Sequence, residues 1–518
     1  MPPTITAVPS VISSPWPAPR IPEVDFTSHV LRHADRLADR AALVDAANGR
    51  QLTYGALAAA ARRTAAGLAA RGFGRGDVLA IYSPNTPEFA VLVLGAAMAG
   101  GTITMINPLY TVGELASALR DSRAQILVTI PPLMRRAMEA GHKARVLSVL
   151  GYGDLTAGAE PPVVAIAPDD VVLLPYSSGT TGLPKGVELT HRAAVANLVQ
   201  IESALTLGPD DVVLAIAPMA HVMGLIVVVC HALCQGATVV TMARFEPEKF
   251  LQAMQDNHVT ASIVAPPIAL ALATHPAVER FDLSALRWLG CGAAPLDWRI
   301  EGQCAQRLAC AFGQGYGMTE TTGAIALASV SVADRIVPGT VGQLLPGTQA
   351  RVTDPETGAD LGAGAEGELL IRGPQLMRGY RGHPDATAKT IDADGWLHTG
   401  DLGTVSSDGV IRITDRIKEL IKVKGLQVPP AELEGLLCAH PSVADAAVIG
   451  VPDETASEVP KAFVVARGEV TADQLIGWVA ERVAPHKRIC AVEFVDAVPR
   501  LPSGKTVRRV LRAATVAP

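Results

Sequence analysis

The sequence predicts an α/β protein with mostly parallel sheets in a large N-terminal part and a small α+β domain at the end. Short, apolar, β-branched runs alternate with longer helical patterns over most of the chain, as in parallel sheets covered by helices. From about Thr348 the runs become polar at their edges, which indicates a β-rich subdomain. The last stretch of about 100 residues has its own pattern of helices and strands.

Each predicted element follows from its local pattern. Apolar runs bounded by Gly or Pro predict buried strands, at 76–83, 124–130, 170–178, 211–219 and 260–267. Apolar residues at helical spacing predict helices, at 52–72, 88–101, 192–206 and 247–258. In the last part the same rules predict helices at 430–441 and 472–483, and strands at 445–451, 461–467 and 491–496.

The length of 518 residues is enough for two to four domains. The segment 1–24 lacks the charged and apolar regions of a secretion signal, so secretion has no support. We expect this segment to be a loosely ordered lead-in. The main domain is predicted at 25–415, with its β-rich subdomain at about 340–415, and a C-terminal lid domain at 416–518.

The composition argues against several classes of protein. A net charge of −6 disfavours nucleic acid and anionic membranes as partners. Two uncharged stretches, 89–113 and 212–243, are long enough for membrane spans, but Gly and Pro punctuation favours buried strands and helices. Seven cysteines without a CxxC pair indicate reduced thiols rather than a zinc site, so we expect a cytoplasmic protein. We also expect either a monomer or a homodimer.

The sharpest local signal is SSGTTGLPKGV at 177–187, which follows an apolar strand. Its glycines let backbone N–H groups approach an anion, its hydroxyls add donors, and its lysine adds a positive charge. It differs from the G-x-x-x-x-G-K-[ST] loop, because Gly186 follows Lys185. An ordinary polar turn is the alternative. The candidate phosphate-binding residues are Ser177, Ser178, Gly179, Thr180, Thr181, Gly182 and Lys185.

Seven motifs stand out along the chain: YSSGTTGLPKGVELTH (176–191), PMAHVMGL (218–225), GCGAAPL (290–296), QGYGMTE (314–320), GWLHTGDLG (395–403), DRIKELIKVKGLQVPPAELE (415–434) and PRLPSGKTVRR (499–509). Together, and in this order, they resemble the adenylate-forming superfamily, which includes acyl-CoA and aryl-CoA synthetases, luciferases and nonribosomal-peptide adenylation domains. The resemblance is closest to 4-coumarate-CoA-ligase-like enzymes and covers about 25–513.

The resemblance implies that these motifs hold ATP and Mg²⁺. In QGYGMTE the aromatic ring and small residues would lie along adenine, the threonine would contact the α-phosphate, and the glutamate would bind the hard Mg²⁺ ion. In HTGD the aspartate would bind the ribose. The nucleotide contacts so implied are Gly315, Tyr316, Gly317, Thr319, Asp401, Arg416 and Gln427, with Glu320 as the metal ligand.

The C-terminal domain resembles a lid that serves two half-reactions in turn. Lys505 would bridge the carboxylate and the α-phosphate during adenylation, where its charge stabilises the transition state. Rotation near 415–418 would then bring Lys422 to the adenylate. On the side where CoA enters, the resemblance places Lys418, Lys424 and Gly425. A basic surface tail is the alternative for Lys505.

The acyl pocket implied by the resemblance departs from the family at two positions beside its histidine. His221 would gate the pocket, whose lining would be Val222, Met223, Val227, Gly292, Ala293, Ala294 and Met318. Many 4-coumarate ligases have Phe before this histidine and Tyr two residues after it, whereas this chain has Ala220 and Met223. A preference for 4-hydroxycinnamate is therefore in doubt. Val423 and Leu426 likewise replace aromatic residues near the acceptor's entry.

The resemblance implies a two-step, AMP-forming ligase. A small carboxylic acid, cinnamate-like or of medium chain length, would react with ATP to give an acyl-adenylate and pyrophosphate, and CoA would displace AMP. The altered VKGLQ segment keeps other acceptors open: a carrier-protein thiol, or nitrite in the diazotisation of an amino-aryl acid. A non-catalytic nucleotide-binding protein is a third alternative, disfavoured because the motif lysines and carboxylates are all present.

Overall fold

The computed structural model describes residues 11–155, 160–177, 184–328, 336–423, 426–453, 456–500, 504 and 506–516. Its architecture is the predicted one, a large α/β domain followed by a small α+β domain. The helices are α1 (Phe26–Val30), α2 (Tyr54–Ala69), α3 (Pro87–Met98), α4 (Val112–Ser122), α5 (Met134–Ala144), α6 (His191–Ala204), α7 (His231–Cys234), α8 (Pro247–Asp256), α9 (Pro266–Thr274), α10 (Trp298–Leu308), α11 (Pro384–Thr390), α12 (Pro430–Cys438), α13 (Ala472–Ala480) and α14 (Arg508–Val516).

The strands of the large domain's N-terminal half are β1 (Ile12–Ser13), β2 (Ala41–Asp45), β3 (Gln51–Thr53), β4 (Val78–Tyr82), β5 (Thr102–Ile106), β6 (Ile126–Thr129), β7 (Ser148–Gly151), β8 (Val171–Leu173), β9 (Tyr176–Ser177), β10 (Lys185–Thr190), β11 (Val212–Ala215), β12 (Thr238–Thr241) and β13 (Ala261–Val264). The remaining strands are β14 (Trp288–Cys291), β15 (Ala311–Tyr316), β16 (Ala326–Leu327), β17 (Gln343–Leu344), β18 (Gln349–Thr353), β19 (Glu366–Arg372), β20 (Gly379–Tyr380), β21 (Leu397–Val405), β22 (Ile411–Arg416), β23 (Ile421–Val423), β24 (Leu426–Val428), β25 (Val443–Asp453), β26 (Ser457–Ala466) and β27 (Ala491–Phe494).

Two largely parallel sheets form the large domain. One runs in the order β17-β16-β15-β14-β13-β11-β12-β2-β3, and its strands from β15 to β2 are parallel. The other runs in the order β20-β10-β8-β5-β4-β6-β7. Apolar side chains from both sheets and from α2, α3 and α6 meet in one core, which is why these strands read as continuous apolar runs.

The predicted helices and strands of both domains are confirmed, with one split. The apolar run at 170–178 forms two strands, β8 and β9, rather than one. Pro175 lies between them, and a proline cannot donate a ladder hydrogen bond.

The β-rich subdomain is an antiparallel sheet in the order β1-β18-β19-β21-β22. Its edge strand comes from the expected lead-in. Ile12 pairs with Ala350 and is buried in the sheet's core, and the Ser14 hydroxyl donates to the Leu344 carbonyl at 2.8 Å. The lead-in prediction is therefore wrong around residues 12–14, because a short apolar strand there completes this sheet.

The C-terminal domain has its own sheet, in the order β24-β23-β26-β25 with β27 beside β26. α12 and α13 cover one face, and their apolar side chains form a separate core with β25 and β26. Within the described ranges, no helix is both long enough and apolar enough to cross a membrane.

Candidate functional site

The candidate site lies at one edge of the first parallel sheet. β11, β13, β14 and β15 are parallel, so their carboxyl ends meet at this edge. The segments that follow them carry His221, Ala265, Gly292 and Thr319. Ligands of open α/β sheets bind at the carboxyl ends of the strands. Three motifs that are far apart in sequence are thus brought together.

Two paired strands hold the ends of the SSGTTGLPKGV segment next to each other. Lys185 of β10 pairs in register with Ser177 of β9, which the sequence analysis did not predict. The Ser177 side chain is buried where the segment begins. The predicted contacts Ser178, Gly179, Thr180, Thr181 and Gly182 lie outside the described residues.

Glu320 is buried beside an aromatic hydroxyl. The Tyr380 hydroxyl donates to Glu320 Oε1 at 2.8 Å, and the Lys185 ammonium lies 5.1 Å from the centre of the Tyr380 ring. Burial raises the pKa of Tyr380, so the phenol stays protonated and remains the donor. Only 6% of Glu320 is exposed. The Tyr380 bond leaves Oε2 as a hard oxygen that could bind a cation, which fits the predicted Mg²⁺ site.

Asp401 is held between two groups that the sequence analysis selected. Arg416 lies opposite it in the β21–β22 ladder, and its Nε lies 2.8 Å from Asp401 Oδ1. The Tyr316 hydroxyl donates to Asp401 Oδ2 at 2.5 Å. Burial raises the pKa of Tyr316 well above its usual value, so it too remains a donor. The site can thus present a fixed carboxylate and an aromatic face to a nucleoside.

The QGYGMTE segment needs its second glycine for steric reasons. A Cβ at Gly317 would lie 1.6 Å from the Gly323 carbonyl oxygen, so no larger residue fits there. Just beyond it, Thr319–Thr321 form a 3₁₀ turn that carries Thr319 and Glu320. The close approach of the two backbone segments gives this loop one fixed shape.

The loop that carries His221 is fixed by a residue that the sequence analysis missed. Asn85, which is buried, donates to the carbonyls of Ala215 and Ala217 at 3.1 and 2.9 Å and accepts from Met219 N–H at 2.7 Å. Burial lowers the pKa of His221, so its imidazole is neutral at pH 7.

Most of the residues predicted to line the acyl pocket follow β14 or lie in and beside a π-helix. Met223–Cys230 form this helix, and π-helical turns often occur at functional sites. A Cβ at Gly292 would lie 3.4 Å from Met223 Sδ, so these two residues face each other. Val222 and Val227 are buried, Ala294 is half-buried, Ala293 is exposed in the left-handed region with φ of 74°, and Met318 packs against the core of the antiparallel sheet.

Asp415 lies in β22, an edge strand of the antiparallel sheet. Its two carboxylate oxygens accept from the Arg416 and Ala431 N–H groups at 2.7 and 2.9 Å, so it ties β22 to the start of α12. Burial raises the pKa of Asp415 from 3.8 to about 6. Lys418 follows in a short exposed turn.

Lys422 lies in a hairpin of the small domain. It pairs in register with Gln427 across β23 and β24, and its backbone N–H donates to Glu458 at 2.9 Å. The predicted residues Lys424 and Gly425 lie outside the described residues.

Gly504, which precedes Lys505 in the sequence, lies against the large domain. A Cβ at Gly504 would lie 3.4 Å from Ala265 Cβ, at the carboxyl end of β13. The Arg500 guanidinium donates to the Gly504 carbonyl at 3.0 Å and to the Thr506 hydroxyl at 2.9 Å, and it pairs with Asp445. Lys505 itself lies outside the described residues, but its neighbour Gly504 lies at the candidate site.

The sequence analysis missed three residues of this arrangement: Tyr380, Asn85 and Arg500. Tyr380 and Asn85 do not stand out by spacing, because each acts on a segment remote in sequence. A partial signal existed for Arg500, which lies inside the PRLPSGKTVRR motif. Tyr380 follows a glycine, but glycines are too frequent in this chain to single out that position.

Comparison with known proteins gives a consistent result over the whole chain. The family model described as AMP-binding enzyme matches 30–381, and the model of the AMP-binding enzyme C-terminal domain matches 432–505. Both ranges fall inside the domains predicted from sequence.

Among curated proteins, the chain is 41% identical to 4-coumarate-CoA ligase 5 of Oryza sativa subsp. japonica, over 96% of this chain and 97% of that protein. It is 40% identical to 4-coumarate-CoA ligase of Pinus taeda, over 96% and 97%. Among solved structures, ATP-bound MatB from Rhodopseudomonas palustris superposes with a TM-score of 0.87 at 31% identity, over 95% of this chain and 99% of that one.

Proposed function

The chain belongs to the AMP-binding enzyme family, and from that premise we propose that it is an AMP-forming acid–CoA ligase acting on a cinnamate-like or other small carboxylic acid. The single observation that carries the proposal is the Tyr316–Asp401–Arg416 cluster beside the Tyr380–Glu320 pair, at the carboxyl edge of one parallel sheet. This arrangement suits a nucleoside triphosphate, with its ribose and phosphates on separate groups.

The nucleotide would be bound from both ends. Asp401 accepts hydrogen bonds from the ribose hydroxyls, and Arg416 holds that carboxylate in place. Lys185 and the hydroxyls of its loop, together with Thr319, bind the phosphates. Glu320 and the phosphates would hold Mg²⁺, whose charge would stabilise the leaving pyrophosphate.

In the first half-reaction a substrate carboxylate oxygen bonds to the α-phosphorus, the bond to the β-phosphate breaks, and pyrophosphate leaves. Both reactants are anions, so positioning and charge stabilisation supply the catalysis. Lys505 supplies a positive charge at this point, and the Gly504 backbone beside Ala265 supports its delivery by the lid. Neutral His221 orients the carboxylate.

In the second half-reaction the CoA sulfur bonds to the acyl carbon and AMP leaves with its bond to that carbon broken. The lid turns at Asp415, and the hairpin with Lys422 replaces the Lys505 turn. Lys418, Lys424 and Gly425 line the entry of CoA. The Gln427 position, opposite Lys422 in register, supports a nucleotide contact made in this second state.

We place the enzyme in the cytoplasm as a monomer or homodimer, with no nucleic-acid or membrane partner. The acidic net charge of −6 supports this assignment. Sedimentation with and without MgATP tests the oligomeric state.

The decisive experiment is carboxylate-dependent exchange of labelled pyrophosphate into ATP, without an acceptor, across cinnamates, benzoates, amino-aryl acids and medium-chain fatty acids. Exchange with one class is expected and names the substrate. Adding CoA, a carrier protein or nitrite then separates the acceptors, and only CoA should turn over. No exchange with any acid, while ATP still binds, would contradict the proposal.

A further inference from the structure

Glu301 is a buried carboxylate that the proposed reaction does not use. It lies in the first turn of α10 and is 6% exposed. Gln314 Nε2 donates to Glu301 Oε2 at 2.9 Å, and no lysine or arginine among the described residues pairs with this carboxylate. Glutamates are rarely buried without a cation, so Glu301 is expected to do more than pack.

Gln314 connects this carboxylate to the edge of the sheet at which the candidate site lies. It belongs to β15 and pairs in register with Cys291 of β14, the residue before Gly292. Its Nε2 also donates to the Leu296 carbonyl at 3.2 Å. The Gln314 side chain therefore joins the QGYGMTE segment to the end of the GCGAAPL segment.

Two acceptors fix the orientation of the Gln314 amide. Its NH₂ group has two hydrogens, and the Leu296 carbonyl and the Glu301 carboxylate accept one each. Rotation of the amide by half a turn would bring its oxygen to these two acceptors and leave all three groups without a donor. The nitrogen is therefore held on the side of Glu301 and Leu296, and the amide oxygen lies on the other side.

The amide oxygen, Gln314 Oε1, is left as an acceptor for a ligand. No donor among the described residues reaches it. It is also not one of the described side-chain atoms that are both buried and without a partner, so it keeps contact with solvent. A carbonyl oxygen can accept a hydrogen bond from a ligand and cannot donate one.

A nucleobase bound at the proposed site would reach this oxygen. Gln314 and Tyr316 alternate along β15 and share one face. The Tyr316 hydroxyl donates to Asp401, the proposed ribose ligand. Two residues of a strand span about 7 Å, which is close to the length of a purine. A base that lies along the Tyr316 ring would thus have its edge remote from the ribose at Gln314.

Resting on the function proposed above, we propose that Glu301 is a positioning residue for the choice of nucleobase. By fixing the Gln314 amide, Glu301 keeps an acceptor turned towards position 6 of the purine. The amino group of adenine donates to that acceptor, whereas the oxo group of hypoxanthine or guanine is itself an acceptor and is repelled. Glu301 acts through Gln314 and does not touch the nucleotide.

The test compares three nucleotides that differ at position 6: ATP with an amino group, purine riboside triphosphate with a hydrogen, and ITP with an oxo group. Incorporation of labelled pyrophosphate into each gives kcat/KM at a saturating concentration of the best acid. Burial raises the pKa of Glu301, so the assays are made above neutral pH to keep its carboxylate ionised. Wild type should prefer ATP to purine riboside triphosphate by about tenfold, with ITP last.

Glu301→Gln keeps the size of the side chain and replaces one acceptor oxygen by an NH₂ group. That group can donate to the oxygen of a rotated Gln314 amide, whose own NH₂ group then faces the base. Relative to purine riboside triphosphate, use of ITP should rise severalfold and use of ATP should fall severalfold. A merely structural defect would lower all three kcat/KM values together and leave their ratios unchanged.

Glu279→Gln is the matched control. It makes the same chemical change at an exposed side chain whose partner, Arg307, also lies in α10. Its three kcat/KM values should equal those of wild type. Gln314→Met is a second variant, which removes the acceptor itself, so ATP and purine riboside triphosphate should become equal substrates.

Equal use of ATP and purine riboside triphosphate by wild type would overturn the proposal, because Oε1 would then not contact the base. Unchanged ratios in Glu301→Gln would also overturn it, since the amide would be fixed without the carboxylate. Should that variant fail to fold, Gln314→Met decides, and a retained preference for ATP refutes the proposal. Failure of the proposed function looks different, because then no acid would give exchange with any of the three nucleotides.

Discussion

Removal of the Tyr380 hydroxyl should lower kcat/KM by about one to two orders of magnitude. It donates to Glu320 Oε1 at 2.8 Å, while the Tyr380 ring lies beside Lys185. Tyr380→Phe removes the hydroxyl and keeps the ring. The Glu320 carboxylate then loses its described side-chain donor and can rotate away from the position in which it would bind Mg²⁺.

The magnitude follows from the kind of bond lost. Glu320 is 6% exposed, so water replaces the phenol poorly. A hydrogen bond to a charged group contributes about 1.5 to 3 kcal/mol. At about 1.4 kcal/mol per tenfold, kcat/KM for MgATP should fall about 10- to 150-fold. The apparent affinity for Mg²⁺ should weaken in the same direction, because the metal's carboxylate is less well oriented.

The assay is pyrophosphate exchange at saturating acid, titrated first with MgATP and then with free Mg²⁺. Tyr82→Phe is the control. Its hydroxyl donates to the Tyr110 carbonyl at 3.0 Å and accepts from Arg136 at 3.1 Å, and neither partner belongs to the candidate site. The control should keep kcat/KM within about twofold even where it costs about 1 kcal/mol of stability.

The reasoning is refuted if Tyr380→Phe lowers kcat/KM less than threefold with an unchanged melting temperature. Tyr380 would then be a packing residue, and Glu320 would be oriented by its backbone alone. A matching loss in Tyr82→Phe would point to general destabilisation instead.

Three further predictions concern the lid, the pocket and the hinge. Lys505→Ala should abolish pyrophosphate exchange and spare thioester formation from a supplied acyl-adenylate, whereas Lys422→Ala should do the reverse; equal loss of both half-reactions would exclude a two-faced lid. Met223→Tyr should raise kcat/KM for 4-hydroxycinnamate severalfold over cinnamate, and unchanged selectivity would remove Met223 from the pocket. The pKa of Asp415 is raised from 3.8 to about 6, so the folded state binds this proton more tightly than the unfolded state does. The protonated carboxyl group therefore contributes its whole share of the folding free energy below about pH 4, and this contribution is lost as the pH rises through 6. Wild type should therefore lose up to about 3 kcal/mol relative to Asp415→Asn between pH 4 and 7 in denaturant unfolding, and a pH-independent difference would contradict this.

The sequence alone predicted the helices, the strands and the chemistry of the motifs. Continuous apolar runs predicted β4, β6, β11 and β13, because parallel strands are buried on both faces. The motif residues Asp401, Arg416 and Tyr316 were selected before any geometry was known, and the structure brings them into contact. The sequence was sufficient where a residue and the pattern that identifies it lie in the same segment.

Tertiary structure decided what depends on segments distant in the chain. The β9–β10 hairpin, the docking of Ile12 on Ala350 and the contact of Tyr380 with Glu320 each join residues that no local pattern relates. Which residues meet across such distances is a property of packing, so only the folded chain reveals these contacts.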